Sequence, residues 1–422
     1  MYASPPVRPS AADLVELTDQ CVLCGLCLPV CPTYRVARTE AESPRGRISL
    51  IKAMAEGQLP PDADSAGHLD HCVSCLSCER ACPSGVQYGR LLSLHREHDA
   101  PAPDRQQRLL YALVARPRLL RGLASLGDRL GLSRWLAPLA RRSGSGVWRR
   151  WIAQIPPLPS MAGLSSPKPA SGERGRIGLF LGCMASAFDR DTHAAARRLL
   201  TALGYTIVEP AAQGCCGALA LQAGHREIAA SIAAPTRQAF IDAGVATVLI
   251  SASGCYASLR DLALADSGIT VREIGEFLAA DAQLADLIFA PSAQRVALHK
   301  PCSLNNTVRA AAATSALLAR IPQLDLVELP EQPRCCGAGG SHFLRYPAMA
   351  DALRDERIDQ LERCGARLLL TSNIGCRLHL ANGLRERGRT IDVVHPITLL
   401  ARQLKDRAAA PTPAVSRAAG AH

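Results

Sequence analysis

Aromatic residues, lysine and long apolar segments are all scarce in this chain of 422 residues. Phe, Trp and Tyr make up 4% of the residues, which excludes the aromatic stacking surface that holds single-stranded nucleic acid, and no nucleic-acid partner is expected. No run of eighteen or more apolar residues occurs, which excludes a spanning helix on sequence grounds. No Gly-x-Gly-x-x-Gly motif follows a strand pattern and no Ser-His-Asp order stands out, so we expect neither a flavin site nor a catalytic residue on the chain itself.

The charge balance favours anionic partners. The net charge is +11, and almost all of the positive charge is arginine because lysine occurs at four positions only. A phospholipid surface, a nucleic acid or an acidic protein face would all suit such a balance. Charge alone does not choose among them.

Size and composition indicate a globular protein of two to four domains, with 48% apolar and 20% charged residues. Seventeen cysteines would indicate a disulfide scaffold in a short secreted chain. This chain is long, its thiols fall into metal-binding intervals, and no charged, apolar leader precedes Ala11. We therefore expect a reducing cytosol as its compartment.

Two runs of cysteine are spaced two, two and three residues apart, and each ends in proline (Pro32 and Pro83). This pattern is typical of proteins that hold two 4Fe-4S clusters, in which the fourth cysteine of each run ligates the other cluster. A zinc ribbon matches less well, because it requires two separated Cys-x2-Cys pairs. The predicted ligands are Cys21, Cys24, Cys27 and Cys82 for cluster 1, and Cys72, Cys75, Cys78 and Cys31 for cluster 2.

Helical patterns flank both runs, so we interpret residues 13–100 as a mostly helical ferredoxin-like domain. Between the runs, Ser43-Pro44-Arg45-Gly46-Arg47 predicts a turn that leads into a helix. The two arginines could donate hydrogen bonds near an anionic cluster and tune its potential. They could equally belong to an ordinary solvated basic turn.

Residues 101–172 are interpreted as a basic amphipathic connector followed by a Pro-rich linker. Leucines recur at helical intervals among many arginines, and Asp104 and Asp128 are the only acidic residues between Pro101 and Ser171. The connector could lie on anionic lipid, with Trp148 and Trp151 at the boundary, or it could be a helical arm packed on its own domains or on a partner. Residues 406–422 are predicted to be a flexible tail.

The remaining chain is a duplication in which strand and helix patterns alternate, typical of parallel α/β layers. A period of 119 to 121 residues relates the cysteines of the two copies. Helices are predicted over 192–203 and 306–320. Each cysteine position follows a predicted strand, where open parallel sheets gather their ligands, and the candidate metal ligands are Cys183, Cys215, Cys216, Cys255, Cys302, Cys335, Cys336 and Cys376. The alternative is a purely structural role, as buried small hydrophobic residues or a vicinal disulfide.

Glycine follows each Cys-Cys pair, and this Cys-Cys-Gly sequence with its flanking cysteines resembles the cysteine-rich CCG domain of heterodisulfide reductase. Two such domains behind a double ferredoxin run resemble the glycolate oxidase iron-sulfur subunit family over nearly the full chain. The motifs that carry this resemblance are Cys31-Pro32-Thr33-Tyr34, Ser43-Pro44-Arg45-Gly46-Arg47, Cys82-Pro83-Ser84-Gly85-Val86, Ser251-Ala252-Ser253-Gly254-Cys255 and Asn373-Ile374-Gly375-Cys376-Arg377-Leu378-His379-Leu380.

The resemblance implies an α+β multidomain fold, with a helical two-cluster ferredoxin-like domain followed by two duplicated α/β CCG domains over 173–290 and 291–405. The reductase domain ends in Cys-x-x-Cys, whereas Ser258 and His379 stand at the last position here, which speaks against a non-cubane cluster. Four thiols per repeat could still hold iron-sulfur or zinc. His379 is interpreted either as a substitute ligand or as an ordinary helix histidine.

The resemblance also implies an electron-transfer subunit. Partner subunits that bind FAD would oxidise glycolate to glyoxylate, and the clusters would pass electrons to a quinone or another acceptor. The alternatives are the same role beside a D-lactate or glycerol-3-phosphate dehydrogenase, a heterodisulfide-reductase-like complex, or a metal-bound scaffold without turnover. The expected location is cytoplasmic, with peripheral association at the inner membrane.

Overall fold

A computed structural model describes residues 9–131, 157–165, 174–331 and 335–405. Trp148, Trp151, part of the Pro-rich tract and the predicted tail lie outside these residues. In the described part of the chain, no helix has both the length and the apolar character needed to cross a bilayer.

The N-terminal part is helical, as the sequence predicts. Ser10 caps the first helix through a capping box with Asp13, and Ser43 caps the third by accepting a hydrogen bond from the backbone N of Gly46. Leu14, Ile51 and other buried residues form the core of this part. Its helices are Ala11–Asp19, Pro32–Ala37, Pro44–Ala55, Ala63–Asp70, Ser77–Arg80 and Tyr88–Asp99.

The connector begins with two helices, Arg105–Val114 and Pro117–Arg129, that pack against the first repeat. Val114 is buried against Cys183, and Leu120 is buried in a second cluster of the same region. This packing favours the helical-arm interpretation. The opposite face of the second helix leaves leucines about half exposed at helical intervals, and these are Leu119, Leu123, Leu126 and Leu130.

Each repeat contains a four-stranded parallel sheet, and both sheets have the same strand order. The first has the order β2-β1-β3-β4 and the second the order β6-β5-β7-β8. The predicted duplication and the α+β multidomain fold class are thereby confirmed. The strands are β1 Arg176–Phe180, β2 Thr206–Val208, β3 Thr247–Ile250, β4 Thr270–Glu273, β5 Arg295–His299, β6 Asp325–Glu328, β7 Leu368–Thr371 and β8 Asp392–Val394.

Helices cover both sheets. Two of them differ in extent from the sequence-based expectation. The helix predicted over 306–320 is interrupted, because Arg309 adopts a left-handed conformation (φ 64°) after the π-helical turn Ser303–Val308. The helix predicted over 192–203 runs instead from Arg190 to Ala202. The helices are Cys183–Phe188, Arg190–Ala202, Ala218–Gln222, Arg226–Asp242, Tyr256–Ser258 and Ile274–Ala279, then Ala311–Leu318, His342–Arg345, Pro347–Cys364, Ile374–Glu386 and Pro396–Gln403.

The two repeats pack on each other with an internal pseudo-two-fold relation. Helix Arg190–Ala202 of the first repeat contacts Pro396–Gln403 of the second, and the equivalent pair, Ile274–Ala279 with Ala311–Leu318, makes the reciprocal contact. One hydrophobic core runs through both repeats. The cysteine-bearing ends of the two sheets are therefore held in a fixed relation.

Candidate functional site

The four cysteines assigned to cluster 1 line a single cavity. Cys21, Cys24 and Cys27 come from the first run, and Cys82 reaches the cavity from the second run. Cys78 lines its wall as well. Four thiols from two runs around one space fit an iron-sulfur cubane, and the crossed fourth ligand is the arrangement of two-cluster ferredoxins. We call this space the first-run cavity.

The four cysteines assigned to cluster 2 are likewise neighbours, and we call them the second-run site. Burial raises the pKa of the Cys78 thiol well above its ordinary value, and the nearby Cys75, Cys72 and Cys31 thiols raise it further. The Tyr88 hydroxyl donates a hydrogen bond to Cys72 Sγ at 3.6 Å. Thiols crowded in a dry site resist joint ionisation unless a cation balances their charge, which is what bound iron supplies.

The two arginines between the runs take different positions. Arg45 Nη1 donates to the carbonyl oxygen of Leu23 at 3.3 Å, beside the first-run cavity. Arg47 is 1% exposed and forms an ion pair with Glu42. Burial alone would lower the pKa of Arg47, yet the nearby Cys72 and Cys31 thiols and Glu42 raise it. The interpretation of this stretch as a solvated turn is wrong for Arg47, because its side chain is buried beside the second-run site.

No sequence motif indicated a buried carboxylate that contacts two histidines. Glu42 Oε1 lies 2.8 Å from His68 Nδ1 and 2.6 Å from His71 Nδ1. These are hydrogen-bond distances, and the other carboxylate oxygen is paired with Arg47. The Glu42 carboxylate therefore links its own segment to helix Ala63–Asp70 and to His71, the residue before Cys72.

All eight cysteines of the repeats line one cavity, which we call the repeat cavity. The cavity lies where the two repeats meet, and its wall is otherwise largely apolar, with Phe180, Met184, Phe343 and Leu378 among its residues.

Within the repeat cavity, each repeat keeps its own four thiols together. Cys215 Sγ lies 3.4 Å from Cys183 Sγ, and this contact raises the pKa of Cys183 while it lowers the pKa of Cys215. Cys216 has both Cys215 and Cys255 as hydrogen-bonding neighbours. The first repeat thus presents four converging thiols, a donor set that suits zinc or iron-sulfur.

The second repeat has the same arrangement. Cys336 Sγ and Cys376 Sγ are 2.8 Å apart, and Cys335 is hydrogen-bonded to Cys302. Cys376 lies in the first turn of helix Ile374–Glu386, a position that by itself would lower the pKa of its thiol. The pKa is raised instead, because of the contact with Cys336 and because the thiol is buried.

The glycine of each Cys-Cys-Gly sequence has a packing role. Gly217 and Gly337 both have φ of 79°, which disfavours any residue with a Cβ. A Cβ would lie 2.5 Å from the carbonyl oxygen of Ala229 in the first case and 2.3 Å from that of Ala350 in the second. The backbone N of each glycine also donates to the first thiol of its pair, at 3.4 and 3.3 Å.

Ser258 and His379, which stand in place of the last cysteine of the reductase pattern, both contact backbone carbonyl oxygens. The Ser258 hydroxyl donates to the carbonyl oxygen of Cys216 at 2.5 Å. His379 is fully buried, with Nε2 at 3.2 Å from the carbonyl oxygen of Ala350, and it is not among the described residues that line the repeat cavity. Its interpretation as an ordinary helix histidine is therefore favoured. Cys364 Sγ donates to the carbonyl oxygen of Leu361.

Cys75 joins the second-run site to the repeat cavity. It packs in one buried cluster with Cys335, and Cys302 packs against the same cluster. After burial, Cys302 and Cys31 are the main causes of its raised pKa. Asn306 Nδ2 donates to the carbonyl oxygen of Cys75 at 2.7 Å and holds the two domains together here. Motif spacing did not indicate this contact, because it depends on how separate domains pack.

Two family models match the chain where its cysteines lie. A 4Fe-4S dicluster domain matches residues 17–86, and a Cysteine-rich domain matches twice, over 177–260 and 296–381. These matches agree with the placement of four thiols around each site. They support iron-sulfur clusters as the cofactors.

Whole-chain comparison extends the similarity over both parts. The chain is 30% identical to the Glycolate oxidase iron-sulfur subunit of Escherichia coli (strain K12), over 94% of this chain and 96% of that protein. It is also 30% identical to the Probable glycolate oxidase iron-sulfur subunit of Bacillus subtilis (strain 168), over 90% and 92%. Lactate utilization protein A of Shouchella clausii is 27% identical over 52% of this chain and 95% of its own length. The chain belongs to the family of glycolate oxidase iron-sulfur subunits.

Proposed function

We propose that this chain relays electrons in a complex whose FAD-binding subunits oxidise glycolate to glyoxylate. Cys21, Cys24, Cys27 and Cys82 would hold one 4Fe-4S cluster, and Cys72, Cys75, Cys78 and Cys31 the other. Bound clusters of this kind accept and release single electrons. The chain's own residues position them, keep water away from the second-run site and set the order of the sites.

The contact of Cys75 with Cys302 and Cys335 is the observation that carries this proposal. It makes the second-run site the neighbour of the repeat cavity, so the cysteine sites form a continuous series. A scaffold without turnover would have no need of such a series. We infer that the eight thiols of the repeats hold a further iron-sulfur cluster or zinc. We also infer that a quinone or another acceptor is reduced at the repeat cavity.

The experiment is to purify the chain anaerobically with its partner subunits and assay it with glycolate, D-lactate and glycerol 3-phosphate. We expect about eight irons in the ferredoxin-like part, reversible one-electron signals in a redox titration, and turnover with glycolate. A colourless, redox-silent protein would contradict the relay.

A second candidate is the same relay beside a D-lactate dehydrogenase. The similarity to Lactate utilization protein A favours it, although that similarity covers about half of this chain. Faster reduction of the complex by D-lactate than by glycolate would select this candidate.

We also propose that helix Pro117–Arg129 rests on the cytoplasmic face of the inner membrane. Its exposed leucines lie among arginines, a composition suited to anionic lipid. Replacing Arg121 and Arg129 by glutamine should weaken binding to anionic vesicles without loss of cluster absorbance. Unchanged binding would exclude this helix as the membrane contact.

A further inference from the structure

The loop of the first cysteine run exposes large apolar side chains. Val22 is 67% exposed, and Leu23 and Leu26 are each 57% exposed. Leu23 adopts a left-handed conformation (φ 55°), and its carbonyl oxygen accepts the hydrogen bond from Arg45. The backbone therefore holds these side chains outward. A single exposed leucine needs no explanation, but three apolar residues between the ligands of one site form a patch.

The same loop brings a predicted cluster ligand to the surface. Cys24 is exposed, whereas the other seven cysteines of the two runs are buried or intermediate. The exposed Val22, Leu23 and Pro83 line the first-run cavity with it. We call Val22, Leu23, Cys24, Leu26 and Pro83 the port face. A predicted ligand of cluster 1 is therefore exposed at this face, whereas Val73 and Cys75 of the ferredoxin-like part pack with Cys335 of the repeats.

The five residues of the port face are uncharged although the chain as a whole carries a net charge of +11, and Arg45 at the same cavity is paired with Glu40. Residues 21–31 and 81–88 contain no acidic or basic side chain. Carriers that bind and leave by diffusion are steered by complementary charge, whereas permanent subunit interfaces are more apolar. The chemistry of the face fits a subunit that stays bound.

We propose that the port face is the docking surface of the flavin-bearing subunit and the entry point for its electrons, an inference that rests on the proposed function. Each transfer removes one electron from the partner's reduced flavin and adds one electron to the iron-sulfur site held by Cys21, Cys24, Cys27 and Cys82. Any proton released by the flavin leaves on the partner's side. Two such transfers reoxidise the flavin after each substrate.

The test compares the variant L26E with the control I288E in the full chain, because Leu26 is exposed and does not line the first-run cavity. Ile288 is 66% exposed and lies in the first repeat, so it is similar to Leu26 in exposure but lies on a different part of the molecule. Affinity for the purified flavin-bearing subunit is measured at low and high salt, together with the rate at which that subunit plus glycolate reduces the iron-sulfur absorbance. Reduction by dithionite reports on the clusters alone.

We expect L26E to lose at least about tenfold in affinity and in partner-driven reduction, with unchanged iron content and unchanged reduction by dithionite. I288E should stay within about twofold of the wild type, and wild-type affinity should change little with salt.

Three results would overturn the docking surface. These are wild-type affinity in L26E, equal losses in I288E, and a self-associated wild-type chain that L26E makes monomeric, which would assign the face to a second copy. A steep fall of wild-type affinity with salt would also contradict it, because such a fall is typical of a partner that binds transiently through charged groups. If the wild-type chain accepts no electrons from the flavin-bearing subunit with substrate, the proposed function itself fails.

Discussion

Cys82 lies in the second cysteine run but lines the cavity of the first, and this exchange ties the two runs together. The local spacing of each run places three thiols on one tight turn, but the fourth thiol must come from elsewhere to complete a cubane. Each predicted cluster therefore depends on both runs being folded. Single cysteine substitutions can show which cluster each thiol serves.

We predict that C82A and C24A lose the same electron paramagnetic resonance signal, and that C75A loses the other. C82A should contain about four fewer irons than the wild type. Cys364 lies outside the cysteine sites, so C364A serves as the matched control and should retain all of its iron. If C82A instead retained the signal that C24A loses, the crossed assignment would be wrong.

A buried acid gives the first repeat a pH-dependent stability. Glu273 is fully buried at the end of β4, and burial raises its pKa to about 7. Its Oε2 accepts a hydrogen bond from the backbone N of Glu276. The folded protein therefore holds a proton that the unfolded chain releases above about pH 4.5, so stability falls between about pH 4.5 and pH 7.

E273Q should remove this loss, because the amide stays neutral and its oxygen can still accept from Glu276. We expect its melting temperature to be close to that of the wild type at pH 5 and clearly higher at pH 8, a gain of at most roughly 3 kcal/mol. The control E227Q changes an exposed acid on a nearby helix. A constant difference between E273Q and the wild type at all pH values would rule out the titration of Glu273 as the cause.

At the scale of elements, the Cys-Cys-Gly turns depend on the long helix that follows each one. Gly217 faces helix Arg226–Asp242 and Gly337 faces helix Pro347–Cys364, each at backbone contact distance. Because Gly217 and Gly337 have no side chain, the backbone can turn sharply directly after each cysteine pair. The two neighbouring thiols can then lie on the same side of the chain. The same contact recurs in both repeats, so it belongs to the fold of the repeat.

We predict that G337A is destabilised by more than G365A. Gly365 also has a positive φ, of 69°, but has nothing within 4 Å of an added Cβ. Its substitution should cost about 1 kcal/mol from backbone conformation alone, whereas G337A adds a clash with the carbonyl oxygen of Ala350. Urea unfolding followed by circular dichroism gives both values, and equal losses would show that crowding at Gly337 is relieved at no cost.

Sequence reasoning succeeded where structure is local. Ligand intervals, the proline after each run and the 120-residue duplication are properties of short segments or of their repetition, and they indicated the helical domain and both parallel sheets. The break at Arg309 escaped detection because a left-handed arginine has no sequence signature. The contact of Cys75 with Cys302 and the buried Arg47–Glu42 pair escaped for a different reason, since both depend on packing between segments far apart in sequence.

At the scale of the whole molecule, a buried ionic group joins the two repeats. Arg377 of the second repeat pairs with Asp189 and Asp191 of the first, and all three side chains are buried. Burial alone would raise the pKa of Asp189, but the Arg377 guanidinium holds it below its ordinary value. The residue next to Arg377 is Cys376, so this link also fixes one wall of the repeat cavity.

R377L should therefore leave two buried carboxylates without their cation and destabilise the protein by about 3–5 kcal/mol. Differential scanning calorimetry should show a lower transition temperature, and the triple variant R377L/D189N/D191N should recover most of the loss. Arg389 forms an exposed ion pair with Glu362, so R389L should change stability by less than about 1 kcal/mol. An R377L protein as stable as R389L would show that the repeats do not rely on this link.

The pseudo-two-fold relation between the repeats has a consequence for their chemistry. The two halves are built alike, yet their surroundings differ, because the thiols of the first half face Val114 of the connector and those of the second face Cys75. The two repeats therefore share a fold but have different neighbours, which are the connector for the first and a predicted cluster ligand for the second. Under the proposed relay, exchanging the two halves within the chain would place the thiols of the first repeat beside Cys75 in place of Cys302 and Cys335.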